Sequence, residues 1–369
     1  MRNAKKYKGE INMLKAQLNK LLNEKSNNNK FSGVVLITRG DEEIFSGEYG
    51  YANKSWKVKN SLKTRFRIGS ISKMFTAVSI LQLIEKDGFD LNTSVVKYLG
   101  LKNTKIPEEV TIHHLLTHTS GIADYFDESG SDEDWEKLWV DKPIYTIRKL
   151  SDYFPLFAYN APEFKVGEKF KYSGAGYILL GLVIEKASRI SYFDYVRKNI
   201  YFKSNMKDSD FISLDEVHEN IAEGYEPVKD KEGNIVLWKR NIYTATPTAA
   251  SDGGATSTAL DLIHFIQLLR NGKLLTNEMT KKILEPHVLD EGSNGHRGYI
   301  WKYGYANWFI LDQDNNIVRG GHTGEEYGVS CRLYYYPSLN IDVVILANQG
   351  WCAGSFGWDI HDIIMKRIK

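Results

Sequence analysis

The stretch Phe66-Arg67-Ile68-Gly69-Ser70-Ile71-Ser72-Lys73-Met74-Phe75-Thr76-Ala77 decides how this chain is read. It sets Ser70 at the start of an apolar helix and Lys73 one turn later. Residues three apart share a helix face, and helical side chains lean back toward the N-terminus, so the Lys73 ammonium is expected to reach the Ser70 hydroxyl. A serine at a helix start also lies near free backbone N–H groups and the positive end of the helix dipole. These are the parts of a nucleophile, its proton acceptor and an anion-stabilising pocket. The pattern Ser-x-x-Lys is weak by itself, because a capping serine followed by a solvated lysine spells the same letters. Its meaning depends on the rest of the chain.

That helix is apolar on most sides (Ile71, Met74, Phe75, Val78, Leu81, Ile84) and stops at Asp87-Gly88. A helix apolar all round is a core helix, so the serine stands at the end of a buried strut. Upstream, Gly33 to Arg39 and Glu43 to Gly50, separated by Gly40-Asp41-Glu42, read as a β-hairpin. Downstream, helical segments joined by long loops run from about Leu91 to Ser251, including Thr111 to Thr117 and Gly176 to Lys186. An amphipathic helix, Thr258 to Asn271, follows Asp252-Gly253-Gly254. Val329 to Tyr336 and Ile341 to Asn348 are strands, and a final helix begins near Trp358. Strands from both ends of the chain thus enclose a helical insertion. The expected division is 1–30 as an N-terminal amphipathic helix and linker, 31–89 with 252–369 as a sheet-bearing subdomain, and 90–251 as a mainly helical one. In the first segment Ile11, Leu14, Leu18 and Leu21 recur at helical spacing, which predicts a single helix docked on the main body.

The 369 residues suffice for one large domain or two closely packed ones. With 42% hydrophobic and 25% charged residues and a formal charge of +2, the composition gives no reason to expect nucleic acid or an acidic surface as partner. Cys331 and Cys352 make no disulfide framework. No run approaches eighteen apolar residues, which argues against a membrane span, and the N-terminus lacks a secretory h-region. As written the chain reads as cytoplasmic, or as exported if a signal was removed before this numbering begins.

The order Ser70–Lys73, then Tyr172-Ser173, then His322-Thr323-Gly324 resembles the serine β-lactamase and penicillin-binding-protein superfamily. The similarity is greatest to the branch of class C β-lactamases, D-alanyl-D-alanine carboxypeptidases, D-aminopeptidases and related esterases. Thr111 to Ile122 (TIHHLLTHTSGI), Tyr177 to Gly181 and Asp252 to Phe265 extend the likeness from about Phe31 to the C-terminus. The resemblance implies an α+β fold of β-lactamase/transpeptidase type, with an antiparallel sheet flanked by helices plus an all-helical subdomain. It makes Ser70 the acylated nucleophile, Lys73 its proton partner and Tyr172 the relay for both acylation and deacylation. A tyrosine ionises near pH ~10, so that role needs positive neighbours, and Lys73 and His322 are the ones available.

His322-Thr323-Gly324 takes the place of Lys-Thr-Gly on the strand lining the cleft, and the charge of His322 is expected to vary with pH near ~6.5. Gly324 would let substrate approach the backbone. The N–H groups of Glu325 and Ser70 would form the oxyanion hole, with the Glu325 carboxylate turned away or set against a cationic leaving group. The chain departs from the family at Gly174, where an asparagine normally meets the substrate's amide side chain. That loss moves the expectation toward an acyl-enzyme hydrolase of esters or D-amino-acid-type peptides. A β-lactamase is the alternative, and a penicillin-binding sensor or scaffold that is acylated without turnover is a further one. No metal or cofactor is implied, and the partner would be a small-molecule or short-peptide substrate. His113, His114 and His118 read as a surface helix end rather than a zinc site. Asp312 to Asn316 reads as a hairpin turn rather than a calcium loop.

Overall fold

The computed structural model describes residues 2–86, 88–127 and 130–368, so the expected helix stop at Asp87 lies outside the described residues. Its centre is one antiparallel sheet of eight strands. We number these β1 (Gly33–Arg39), β2 (Glu42–Tyr49), β3 (Val288–Leu289), β4 (Ile300–Tyr303), β5 (Trp308–Leu311), β6 (Ile317–Glu326), β7 (Val329–Tyr336) and β8 (Ile341–Ala347). Their spatial order is β2-β1-β8-β7-β6-β5-β4-β3. The first hairpin therefore joins strands from the far end of the chain, with Val34 opposite Leu346 and Leu36 opposite Val344.

Both faces of the sheet are covered, and for this reason its central strands read as apolar runs instead of alternating ones. Successive side chains on a strand point to opposite faces. Val34, Leu36, Val344 and Leu346 enter one core. Val35, Ile37, Val343 and Ile345 enter the other. The first core holds helices α2 (Ser72–Ile84), α4 (Gly174–Ser188) and α5 (Ala259–Arg270). The second lies beneath α1 (Arg2–Asn27) and α6 (Ala353–Arg367). The short helix α3 (Ile112–Leu116) carries Thr111 as its cap, whose hydroxyl accepts from the His114 N–H. The expected core-helix character of α2 is observed, because every residue from Ser72 to Leu83 is buried.

The N-terminal helix docks as its spacing predicts, with Ile11, Leu14, Leu18 and Leu22 buried against α6 and the sheet. Leu21 is only half-buried, and Leu22 takes the inner position in its place. The Arg367 guanidinium donates to Gln17 Oε1 at 3.1 Å, and Lys25 lies 3.6 Å from Asp359, so polar contacts flank the apolar seam. Segment 90–251 contains one feature that its helical reading missed, a hairpin of Tyr225–Lys229 and Ile235–Arg240. The signal was present in the apolar, β-branched and aromatic run Ile235-Val236-Leu237-Trp238 beyond a polar turn, where Asp230 accepts from the N–H of Asn234. Among the described residues, no helix is long and apolar enough to cross a membrane. Leu18→Ala should cost about 3 kcal/mol of unfolding free energy, as for other fully buried leucines. Urea denaturation checks this, and a loss below about 1 kcal/mol would mean that α1 is not part of the cooperative unit.

Candidate active site

Gly69–Ile71 forms one tight turn that delivers the chain into α2. Gly69 adopts φ +52, and a Cβ there would stand 3.0 Å from the Glu325 nitrogen. A Cβ on Gly324 would fall 2.0 Å from the Ile68 carbonyl oxygen. Both positions require glycine, since real side chains do not tolerate such approaches. The turn is pinned by further bonds. Ser72 Oγ donates to Gly69 O at 2.7 Å and accepts from the Ala255 N–H at 3.0 Å. The seam brings the backbone N–H of Glu325 beside the segment that carries Ser70.

Ser70 lines a cavity of about 200 Å³, with Lys73 beneath it. Lys73 is 1% exposed. Its Nζ donates to Ser70 Oγ at 3.0 Å and to the Asp252 carbonyl at 2.6 Å. The ring centres of Tyr172 and Tyr177 lie 4.9 and 5.7 Å from the same nitrogen. A buried ammonium surrounded by oxygen acceptors and aromatic faces is compensated without a carboxylate in direct contact.

Of the residues singled out from sequence, Ser70, Lys73, Gly174 and Glu325 line the cavity, whereas Tyr172, His322, Thr323 and Gly324 lie outside its walls. Tyr172 packs against Trp308 with rings stacked at 6.2 Å, and against His118 at 4.3 Å. Glu325 turns its carboxylate away, accepting from Ser330 at 2.9 Å and pairing with Arg332 at 2.6 Å. Burial raises its pKa while Arg332 opposes the rise. Glu326, also on the wall, pairs with Arg67 at 3.0 Å.

Two expectations need correction. His118 is not part of a surface helix end. It is buried at 2% exposure, its Nδ1 accepts from the Ser173 N–H at 3.1 Å, and its Nε2 lies 3.2 Å from Tyr303 Oη. His113 and His114 do lie nearer the surface, against Tyr305 and the Thr111 cap. His322 does not titrate near the usual imidazole range. Burial, with the Lys73 and Arg332 charges adding to it, pushes its pKa down to about 3 against an opposing hydrogen bond to the Thr323 carbonyl. It is therefore neutral at ordinary pH, and Lys73 is the cation left beside Tyr172.

The place of the missing asparagine is filled from elsewhere. A Cβ at Gly174 would meet Tyr125 Oη at 2.8 Å and Asp252 Oδ2 at 2.9 Å. Those two groups share a hydrogen bond of 2.5 Å, with Tyr125 donating. Burial and the Asp252 charge hold the Tyr125 hydroxyl well above its usual pKa, so it remains protonated. Asp124 caps α4 by accepting from the N–H groups of Gly174 at 2.7 Å and Ala175 at 3.0 Å. Phe126, Trp135, Tyr327 and Trp351 add aromatic walls. None of Tyr125, Asp252 and Tyr303 was singled out from sequence. Asp252 carried the nearest signal, in the Asp-Gly-Gly turn ahead of α5.

The family model described as Beta-lactamase matches residues 18–350. Penicillin-binding protein 4* of Bacillus subtilis is 28% identical over 337 residues, spanning 87% of this chain and 68% of that protein. Protein flp of Staphylococcus aureus is 28% identical over 326 residues, and the chain spans 59% of its length. The crystal structure of a penicillin binding protein from Bacillus halodurans superimposes with a TM-score of 0.83 at 36% identity, covering 94% of this chain and 99% of that one.

His322 gives a pH dependence of stability whose sign follows from its lowered pKa. Between about pH 3 and the ordinary imidazole value, the unfolded chain binds the proton that the folded chain refuses, so stability falls as pH drops. The urea midpoint of wild type minus that of His322→Asn should therefore shrink from pH 7.5 to pH 5. A difference independent of pH would mean that His322 titrates normally in the folded protein.

Proposed function

The chain belongs to the β-lactamase family, among the serine hydrolases of β-lactamase and penicillin-binding-protein type, and from that premise we propose that it cleaves esters or D-amino-acid-type amides through an acyl-enzyme on Ser70. The contact of Lys73 Nζ with Ser70 Oγ at 3.0 Å, on the cavity wall, is the observation that carries this reading. In the proposed first step the fraction of Lys73 that has given up its ammonium proton to water accepts the hydroxyl proton as Ser70 Oγ attacks the carbonyl carbon. The oxyanion is held by the N–H groups of Ser70 and Glu325. Its collapse breaks the bond to the leaving oxygen or nitrogen, which takes a proton relayed through Tyr172. Water then attacks the ester, gives its proton back along the same route and releases the acid.

The Tyr125–Asp252 pair beside Gly174 favours one kind of acyl group. The single Tyr125 proton is committed to Asp252, and a carboxylate only accepts. An acylamino side chain would bring its carbonyl up against that carboxylate, which offers it no proton. A free α-ammonium group would find an acceptor there. This supports α-amino esters and amides over acylamino β-lactams, with aromatic walls for an apolar side chain.

Ser70→Ala should abolish both turnover and any covalent adduct seen by intact mass after mixing with a reactive ester. Unchanged activity in that variant would refute the assignment of the nucleophile. With penicillin, a transient adduct and accumulating opened product would instead make the protein a β-lactamase, and a persistent adduct would make it a penicillin-binding sensor.

The selectivity has its own measurement. Wild type should hydrolyse a D-amino acid p-nitroanilide faster than its N-acetyl derivative, and Asp252→Asn should erode that ratio by about tenfold. Equal rates on the two substrates in wild type would remove Asp252 from recognition.

A further inference from the structure

Behind Lys73 and Tyr172 lies a buried hydrogen-bond chain that no step of the proposed reaction uses. It starts at the Ser173 N–H, which donates to His118 Nδ1 at 3.1 Å. It passes from His118 Nε2 to Tyr303 Oη at 3.2 Å, and from there to His322 Nε2 at 3.0 Å. It ends where His322 Nδ1 meets the Thr323 carbonyl at 2.6 Å. The chain joins the residue after Tyr172 to the residue before Gly324, and so ties the tyrosine loop to strand β6.

Its directions are set at both ends by backbone groups, which cannot change roles. The Ser173 N–H can only donate, so the Nδ1 of a neutral His118 is the bare nitrogen and Nε2 carries the proton. The Thr323 carbonyl can only accept, so a neutral His322 carries its proton on Nδ1 and offers a lone pair at Nε2. Tyr303 stands between a donor and an acceptor and satisfies both with one hydroxyl. Tyr177, whose hydroxyl also reaches Tyr303, donates to the Leu116 carbonyl at 3.0 Å, so toward Tyr303 it is an acceptor beside His322 Nε2 and supplies no proton to either imidazole.

We propose that Tyr303 is a positioning residue that locks His118 and His322 as opposite neutral tautomers, leaving Lys73 as the one cation beside Tyr172. The groups facing the pair from every element packed on it fit this. Lys73 faces them from α2, Tyr177 from α4, Tyr172 from its loop and Arg332 from β7. Both cations oppose protonation of His322, and Lys73 opposes that of His118. No carboxylate is among these neighbours. A second positive charge here would repel the Lys73 ammonium and change the proton balance at Ser70. The Tyr303 hydroxyl adds what burial alone does not, because a bond donated to a bare imidazole nitrogen stabilises the neutral form.

The catalytic consequence rests on the proposed hydrolase reading, but the tautomers do not, so the experiment has two readouts. In wild type, ¹⁵N shifts of labelled histidines should report His118 with its proton on Nε2 and His322 with its proton on Nδ1, unchanged from pH 5.5 to 8. Either the reverse tautomers or a titration in that range overturns the proposal, whatever the enzyme hydrolyses. In Tyr303→Phe, kcat on a chromogenic ester should fall at least about tenfold with KM little changed, since small misplacements of reacting groups carry penalties of that size or more. The acid limb of its pH profile should also move to higher pH, because removing the donor raises the His322 pKa. A kcat loss with an unshifted profile would reduce Tyr303 to a packing residue and overturn its electrostatic role. Should Tyr303→Phe fail to fold, the wild-type tautomers still test the proposal, because reversed tautomers or a titration between pH 5.5 and 8 overturn it.

Discussion

The structure depends on one close approach, that of the turn before α2 to strand β6. There the carbonyl of Ile68 meets Gly324 where a side chain would stand 2.0 Å away, and Gly69 meets the Glu325 nitrogen in the same manner. Neither contact is local in sequence, and each needs the other element to be in place. The eight-stranded sheet supplies the position of β6, and the buried strut α2 supplies the position of the turn. A rigid helix end held against a rigid strand fixes Ser70 relative to backbone N–H groups far better than a loop could. The core on the α2 side of the sheet thus serves the site indirectly, because Ile68 and Ile71 of the turn are buried in it.

That seam also explains how charge is handled. Lys73 is almost fully buried, yet its nearest compensating atoms are a backbone carbonyl, a hydroxyl and two aromatic faces. The carboxylates on the cavity wall are committed elsewhere, Glu325 to Arg332, Glu326 to Arg67 and Asp252 to Tyr125. A full salt bridge would stabilise the ammonium strongly and make it a poor proton acceptor. Carbonyl, hydroxyl and π contacts hold the nitrogen in place instead.

Much of this was legible in the sequence where the physics is local. The apolar run after Ser70, the paired strands at both ends and the capped helices each follow from periodicity or turn chemistry within a short window, and the structure has them. The hairpin at 225–240 escapes that reading, because one short solvent-flanked hairpin inside a helical segment gives only a weak strand signal. The misreading of His118 has a different cause. Three histidines close together in a polar-looking stretch suggest a solvated helix end, and only the fold reveals that His118 turns inward under Tyr303 and His322. Burial then cancels the pH response that an isolated histidine would have, so His322 was placed correctly on its strand and misjudged in charge. Tyr125 and Tyr303 had no signal of their own among the 22 tyrosines of the chain. Their significance lies wholly in which distant residues they meet.

Gly174 shows how a departure at one position is absorbed at two others. Losing an asparagine side chain beside a buried lysine would ordinarily leave a hole and an unpaired amide environment. Here the hole is absent, because Tyr125 reaches in from the loop after α3 and Asp252 from the turn before α5. The exchange is not neutral in chemistry. An amide both donates and accepts, whereas a carboxylate whose nearest donor is already engaged only accepts. The same volume therefore carries the opposite preference for what lies across from it. Asp252 also offers its carbonyl to Lys73, so in the proposed reaction the residue facing the acyl group would also hold the proton acceptor. In that reaction a substrate pulling on the Asp252 carboxylate would be felt at Lys73 through this one residue, which would couple recognition to Ser70.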